Sequence, residues 1–313
     1  MMILAAMLLD SIFGDPKGIP HPVTYVGRII SFWEKRLYAK KDAKFRGVIF
    51  CAAVLLSVLF TIASVFFAAQ SINEYLFTAI KIYTLYTAIA FRSLKDESMK
   101  VACELNSGNI DEARKFLSYI VGRDTEKLNR PGIIRASVET IAESYIDGVF
   151  TVLFYMVLGS FAGHAAIFTW TYKTVNTMDS MVGYDDERYH DFGWGAAKLD
   201  DLLNFIPARL GALLAIVAGA ALGFDWKNAL KIFARDRKKH KSPNSAHAES
   251  VYAGLLGISL GGGAFYGGEF EARPTLGDST REPETEDIIK SHKILTYSYA
   301  LFACIIYVLG RAI

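Results

Sequence analysis

The chain alternates long apolar runs with polar blocks, and the run lengths set the fold class. Residues 47–70, GVIFCAAVLLSVLFTIASVFFAAQ, carry no charge, and residues 148–170 carry only His164. About 20 mainly apolar residues cross roughly 30 Å of hydrocarbon as a helix, so both segments predict spanning helices. Residues 75–91 hold Lys81 near one end, where its stem reaches an interface, and the turn S-I-N-E makes a hairpin with the preceding run. Further spans are predicted at 203–223, which contains Pro207 and Arg209, and at 294–310, with a short sixth at 3–13. The expected fold class is all-α: a polytopic α-helical integral membrane protein with about five to six membrane segments and helical extramembrane segments.

Between the runs, residues 92–147 read as a helical insert whose first two helices break at N-S-G-N (106–109). Polar blocks follow at 172–202 and 224–293. The whole of 1–313 is expected to form one membrane-embedded domain, with the insert at about 92–147 and a Gly-rich loop at about 242–270.

Lys35, Arg36, Lys40, Lys41, Lys44 and Arg46 place the first loop in the cytoplasm by the positive-inside bias, and Lys231, Arg235, Arg237, Lys238, Lys239 and Lys241 do the same for the last. Simple crossing then puts 172–202 outside. If G-S-F-A-G-H (159–164) instead turns the third span back as a hairpin, 172–202 returns inward.

Composition supports the membrane class, with 52% hydrophobic residues and a mean hydropathy of +0.25. The net charge of +2 implies no general attraction to nucleic acid. Cys51, Cys103 and Cys304 show neither C-x-x-C spacing nor a neighbouring His, so no disulfide framework or zinc site is expected. No Lys or Arg precedes the first apolar run and no small-x-small site follows it, so it does not read as a removable signal peptide.

Arg135, Glu139, Glu143 and Asp147 recur every four positions, which on a helix makes one stripe ending at a membrane span. Its alternatives are a solvated face with an internal Arg135–Glu139 pair, or carboxylates that meet a cation such as Mg²⁺ bound mainly through phosphates. Asn176, Asp179 and Gly183 share helical spacing before the acidic run D-D-E-R-Y-H-D, which does not match an EF-hand loop. Asp200 and Asn204 share a face at the mouth of the fourth long apolar run, with Asp201 beside them and Arg209 one turn on. The Gly-rich loop, with Gly261–Gly263 and Gly267–Gly268, could bring backbone N–H groups to an anion but matches no standard nucleotide loop. His21 stands between Pro20 and Pro22 in G-D-P-K-G-I-P-H-P.

In order along the chain, LLDSIFGDPKGIPHPVTYVGR (8–28), IVGRDT (120–125), VETIAESYIDG (138–148), VNTMDSMVGY (175–184), ERYHDFG (187–193), LDDLLNFIPARL (199–210) and SPNS (242–245) resemble the motifs of the cobalamin-biosynthesis CobD/CbiB family. The resemblance implies a multi-pass membrane ligase, adenosylcobinamide-phosphate synthase. It would join adenosylcobyric acid to 1-amino-2-propanol phosphate, or to aminopropanol, at the expense of ATP with Mg²⁺. The implied partners are these substrates, the corrinoid among them, and the lipid bilayer, with self-association or a complex with later corrinoid enzymes also expected; the implied site faces the cytoplasm of a cell-membrane protein. Two departures fall at Ala142-Glu143-Ser144, where A-E-N is usual, and at Ser245-Ala246-His247, where S-P-N is usually followed by Gly and an aromatic.

On this reading Glu139, Glu143, Asp147 and Asp179 hold Mg²⁺ against the ATP phosphates, and Arg123, Arg188 or Arg209 neutralise phosphoryl oxygens. Asp200 or Asp201 accepts a proton from the attacking ammonium. Substrate contacts are expected from Asp15, His21 and Arg28, from Asp124, Asn176 and Glu187, and from Asn204, Asn244 and Tyr266. The rival classes are a non-catalytic sensor resembling AmpE and a transporter; the latter should concentrate its polar groups at mid-membrane between repeats.

Overall fold

Helix starts follow the capping chemistry of the sequence. The computed structural model describes residues 1–15, 18 and 21–312; Pro16, Lys17, Ile19 and Pro20 of the opening turn lie outside the described residues. Asn73 accepts the Leu76 N–H at 2.8 Å, Asn129 the Gly132 N–H at 3.0 Å and Asp225 the Asn228 N–H at 2.9 Å. Each is an N-cap that satisfies a donor the helix cannot. His21 does the same through Nδ1 to the Val23 N–H, with Pro22 in the first turn.

The helices are α1 (Met2–Phe13), α2 (Pro22–Leu37), α3 (Ala43–Ile72), α4 (Glu74–Tyr86), α5 (Phe91–Asn106), α6 (Ile110–Ser118) and α7 (Arg130–Ser144). A π-helical turn, Tyr145–Phe150, joins α7 to α8 (Thr151–Phe161). There follow α9 (Ala165–Val182), α10 (Trp194–Ala221), α11 (Trp226–Asp236), α12 (Ser245–Leu256) and α13 (Thr285–Ala312). Between α12 and α13 lie β1 (Leu260–Gly261), β2 (Ala264–Tyr266), β3 (Glu269–Glu271) and β4 (Thr275–Leu276), paired antiparallel as β1 with β4 and β2 with β3.

The protein is an all-α membrane protein: among the described residues, Ala43–Ile72, Arg130–Phe161, Trp194–Ala221 and Thr285–Gly310 are long and apolar enough to cross a bilayer. On α3, Leu56, Phe60 and Phe67 stand exposed, as a lipid-facing helix requires. Two expected spans are corrected. Residues 148–170 are not one helix: the chain turns at 162–164 and α8 and α9 pack as a hairpin, because Gly163, at φ +75°, takes a left-handed turn conformation. The span expected at 75–91 is α4, whose 13 residues reach about 20 Å at 1.5 Å each, too short to cross alone. The first break in the 92–147 insert falls where expected, between α5 and α6 at Gly108.

Backbone proximity divides the chain into two compact units. The first comprises Met1–Ala90, Thr151–Asn204 and Leu309–Ile313. In it α3 packs on α2, α4 and α9, and Trp170 Nε1 donates to the Thr84 carbonyl at 2.8 Å. The second comprises Phe91–Phe150 and Phe205–Val308. At its heart α12 is buried at every position from Ala246 to Leu256, between α7 and α11. Gly254 permits the α11 approach, since a Cβ there would lie 2.5 Å from Ala229 Cα.

Candidate functional site

In the second unit, α7 and the strands carry a charged cluster. Arg123 Nη1 donates to Glu139 Oε2 at 2.6 Å, with the side chains only 15% and 6% exposed. The other Glu139 oxygen accepts the Gly261 N–H at 2.6 Å. Asp124 accepts the N–H groups of Gly267 (3.2 Å) and Gly268 (2.7 Å), and its own N–H donates to the Phe265 carbonyl at 2.8 Å. The Gly-rich loop therefore does gather carboxylates on backbone N–H groups, and they come from Asp124 and Glu139 of the chain itself. Gly261 is required there: at φ +79°, a Cβ would meet the Pro274 carbonyl oxygen at 2.2 Å.

The expected stripe on α7 is broken. Glu139 pairs with Arg123 rather than Arg135, whose buried Nε finds no hydrogen-bond partner. The helix widens to π geometry from Tyr145, so Asp147 no longer continues the Glu139–Glu143 line at α-helical spacing. Glu143 is exposed, with Arg123, Arg273 and Glu139 as its charged neighbours. Arg273 sits 5.0 Å from the Tyr266 ring centroid.

His240 and Glu249 complete the cluster. Nε2 of His240 lies 3.5 Å from Glu249 Oε2, too far for a good hydrogen bond, and the side chains are 12% and 7% exposed. Burial, reinforced by Glu139 and Glu143, raises the Glu249 carboxyl well above the usual range despite Arg123 and Arg273. Burial and then Arg273 lower His240, with Glu139 opposing. Burial thus disfavours the charged form of both groups, imidazolium and carboxylate alike.

On the opposite side of α12, roughly 200° around from Glu249 at about 100° per residue, His247 packs against Phe233 with ring centroids 5.6 Å apart. It is pushed down to about 4, first by burial and then by Arg209, with Arg237 and Lys238 adding to it. Folding therefore excludes a proton that the unfolded chain binds below about 6.5. Stability is expected to fall as pH drops from about 6.5 to about 4, and His247→Asn is expected to flatten that slope in thermal unfolding.

In the first unit, α9 and α10 share a polar network. Asp200 accepts from Asn176 Nδ2 at 3.3 Å and from Asn204 Nδ2 at 3.0 Å. The buried Asn204 Oδ1 accepts from Thr151 (2.9 Å) and Tyr172 (3.1 Å). Asp15 Oδ1 lies 3.5 Å from His21 Nε2. Burial lowers His21, Asp15 opposes, and Lys173 lowers it further. Asp179 is half-buried on α9.

Other expected contacts lie at the periphery. Arg28 is exposed over the Tyr25 ring, Asp201 pairs with Lys198 at 3.3 Å, and Glu187 pairs with Lys40 at 3.0 Å. Arg188 and Tyr189 both bond Glu34, at 2.8 and 2.7 Å. These contacts hold 187–189 against the basic first loop, so simple crossing, which puts the two on opposite sides, is replaced by the hairpin.

Sequence reasoning missed His240, Glu249 and Arg273. The signal for Glu249 was a carboxylate inside the otherwise small and apolar run AHAESVYAGLL, where burial demands a partner. His240 and Arg273 carried no such signal, because only the fold brings them to α12.

Among the described residues, no three His, Cys, Asp or Glu side chains form a group that could hold a metal. A Mg²⁺ bound mainly through phosphates needs only one or two carboxylates, and the exposed Glu143, with no hydrogen bond among the described residues, suits that limited role.

A family profile described as CobD/Cbib protein matches residues 3–295. A protein of Clostridium perfringens named cobalamin biosynthesis protein CobD is 42% identical over 94% of this chain and 92% of its own. Namesakes from Desulfotalea psychrophila (41%; 96% of this chain and 94% of that one) and Clostridium acetobutylicum (40%; 98% and 96%) are as similar. No solved structure matches. With relatives this similar along nearly their whole length, the chain belongs to the CobD/CbiB family.

Proposed function

We propose that the protein acts in cobalamin biosynthesis as adenosylcobinamide-phosphate synthase, joining the free carboxylate of adenosylcobyric acid to the amine of aminopropanol phosphate, or of aminopropanol, with ATP hydrolysed to ADP and phosphate. The observation that carries this is the second-unit cluster, which joins Arg123, Glu139 and Glu143, from two of the family-like motifs, to Arg273 and to the imidazole of His240 beside Glu249.

The reaction balances as two steps. A substrate carboxylate oxygen attacks the γ-phosphorus and ADP leaves; the neutral amine then attacks the acyl carbon, expelling phosphate and losing one proton. Mg²⁺ would neutralise phosphate charge, held by Glu143. Arg123, fixed by Glu139, and Arg273 stabilise the transferring oxygens. His240 takes the proton that the ammonium must lose, and burial beside Glu139 and Glu143 favours the neutral form of Glu249, which limits negative charge there.

On this reading the site lies on the cytoplasmic side, where ATP is, which the positive-inside bias of Lys231, Arg235, Arg237, Lys238, Lys239 and Lys241 supports. Asp186→Cys is then expected to resist a membrane-impermeant thiol reagent in intact cells and to react after lysis; labelling from outside would refute the orientation. For the reaction itself, the purified full chain is expected to turn over ATP to ADP and phosphate repeatedly only when both organic substrates are present. Sustained turnover that ignores either substrate would count against a synthase.

A further inference from the structure

We infer that Arg209, Arg237, Lys238 and the first turn of α12 form a phosphate-binding pocket that seats a phosphate group of a phosphorylated substrate. This rests on the synthase reading and adds to it a site on the face of α12 away from Glu249.

Three cations in this part of the second unit have no counter-ion among the described residues. The basic stretch of α11 and the residues after it divide into two sets. Arg235 and Lys239 pair with the buried Asp236 at 2.7 Å each, and Lys231 and Arg235 reach Asp278 at 3.6 and 2.6 Å. Bonds from Arg235, Lys239 and the Gly277 N–H overcome the effect of burial and hold Asp236 below the usual carboxylate range, so this first set is neutralised. Arg237 and Lys238 take no part: among the described residues neither forms an ion pair, and neither does Arg209 of α10. Arg209 has Arg237 as its charged neighbour and no carboxylate beside it. Arg237 Nη1 donates to the Ala234 carbonyl at 2.7 Å, so its charge meets the end of α11 and no acid; it and Arg209 repel, and an anion near them removes the penalty.

Three further features point to the same place. The Arg209 guanidinium is held flat 3.5 Å over the Phe205 ring, with the Phe205 carbonyl as its partner, so its orientation is set before any ligand arrives. Asn244, at the N-cap of α12, makes no capping bond to the helix, and its Oδ1 lies 3.4 Å from Arg209 Nη1 instead. Of the first-turn N–H groups of this 12-residue helix, that of His247 bonds the Asn244 carbonyl at 3.0 Å, and those of Ser245 and Ala246 lack a side-chain cap. Finally, His247 is only 2% exposed, with the Asn244 carbonyl beside its ring and its Nδ1 outside good hydrogen-bond geometry, and the cations acting on it are Arg209, Arg237 and Lys238. A fixed arginine, two uncapped helix N–H groups and a buried imidazole among cations together match the several acceptor oxygens of a phosphate.

The test uses the full chain in phosphatidylcholine nanodiscs with labelled inorganic pyrophosphate in equilibrium dialysis, without corrinoid. Wild type is expected to bind, and Arg237→Gln to weaken binding by roughly tenfold or more, the usual consequence of losing a charge-assisted contact. Arg237→Lys is expected to retain part of the affinity, and Lys227→Gln, on the same helix, all of it. Arg237 lies at the end of α11, so a monodisperse elution profile of Arg237→Gln separates lost binding from lost folding; Arg209→Lys is the second probe. In turnover, the KM that rises in Arg237→Gln, for the amine phosphate or for ATP, names the phosphate seated there. Displacement of pyrophosphate by phosphatidic acid in the discs would assign the pocket to a lipid headgroup and overturn the substrate assignment. Wild-type failure to bind, or unchanged binding and KM values in both arginine variants, would overturn the pocket. Pyrophosphate binding by a protein that makes no amide would leave the pocket standing and refute the synthase reading.

Discussion

Glu139→Ala is expected to lower amide synthesis by roughly a hundredfold or more and to destabilise the second unit by about 3–5 kcal/mol. Both effects come from one geometry. Glu139 is 6% exposed and uses one oxygen on Arg123 and the other on the Gly261 N–H, both at 2.6 Å. Truncation leaves the largely buried guanidinium with no acceptor and frees the strand that starts the Gly-rich loop, and removing one partner of a buried pair costs more than the pair itself contributes. Arg123 then loses the orientation that aims it at phosphoryl oxygens. Glu139→Ala combined with Arg123→Met is expected to regain much of the stability, because the orphaned charge is gone, but none of the activity. Thermal unfolding and initial rates on the four proteins of this cycle check both halves; activity that recovers with stability would show the pair to be only structural.

His240→Ala is expected to reduce kcat by roughly 10²–10⁴-fold with little change in the substrate KM values, the usual range for losing a general base. The imidazole is buried and kept neutral by burial and Arg273, so in the wild type kcat should rise with pH through a point below the ordinary histidine value of about 6.5. The variant should lose that limb, and added imidazole should restore part of the rate. Glu249→Gln separates the partner's role. Because the folded carboxyl is raised, wild-type stability is lost as pH climbs above the usual glutamate value of about 4.5. Glutamine removes that loss, so the variant should be the more stable protein at alkaline pH.

The fold class was legible because apolar run length reports directly on bilayer thickness. The number and direction of the spans were less so. A run such as 148–170 is equally apolar whether straight or bent, and Gly163 alone carried the turn. On the site, local spacing found Asp200 with Asn204, one helical turn apart, and the structure adds Asn176 from α9. Of the two alternatives for the α7 stripe, the Arg135–Glu139 pair does not form, because a partner from the preceding loop, Arg123, outcompetes the neighbour on the same helix. Arg123, Glu139, His240, Glu249 and Arg273 span some 150 residues, and no periodicity encodes their meeting. The acidic run around Glu187 illustrates the reverse: conspicuous in sequence, it lies at the protein's edge, tied to Lys40 and Glu34.

The central claim is that this chain makes an amide. The purified protein, incubated with adenosylcobyric acid, Mg-ATP and either aminopropanol phosphate or aminopropanol, should yield a corrinoid whose mass equals the acid plus the amine less one water. A corrinoid of unchanged mass with both amines, from protein that is folded and binds its substrates, would contradict the account.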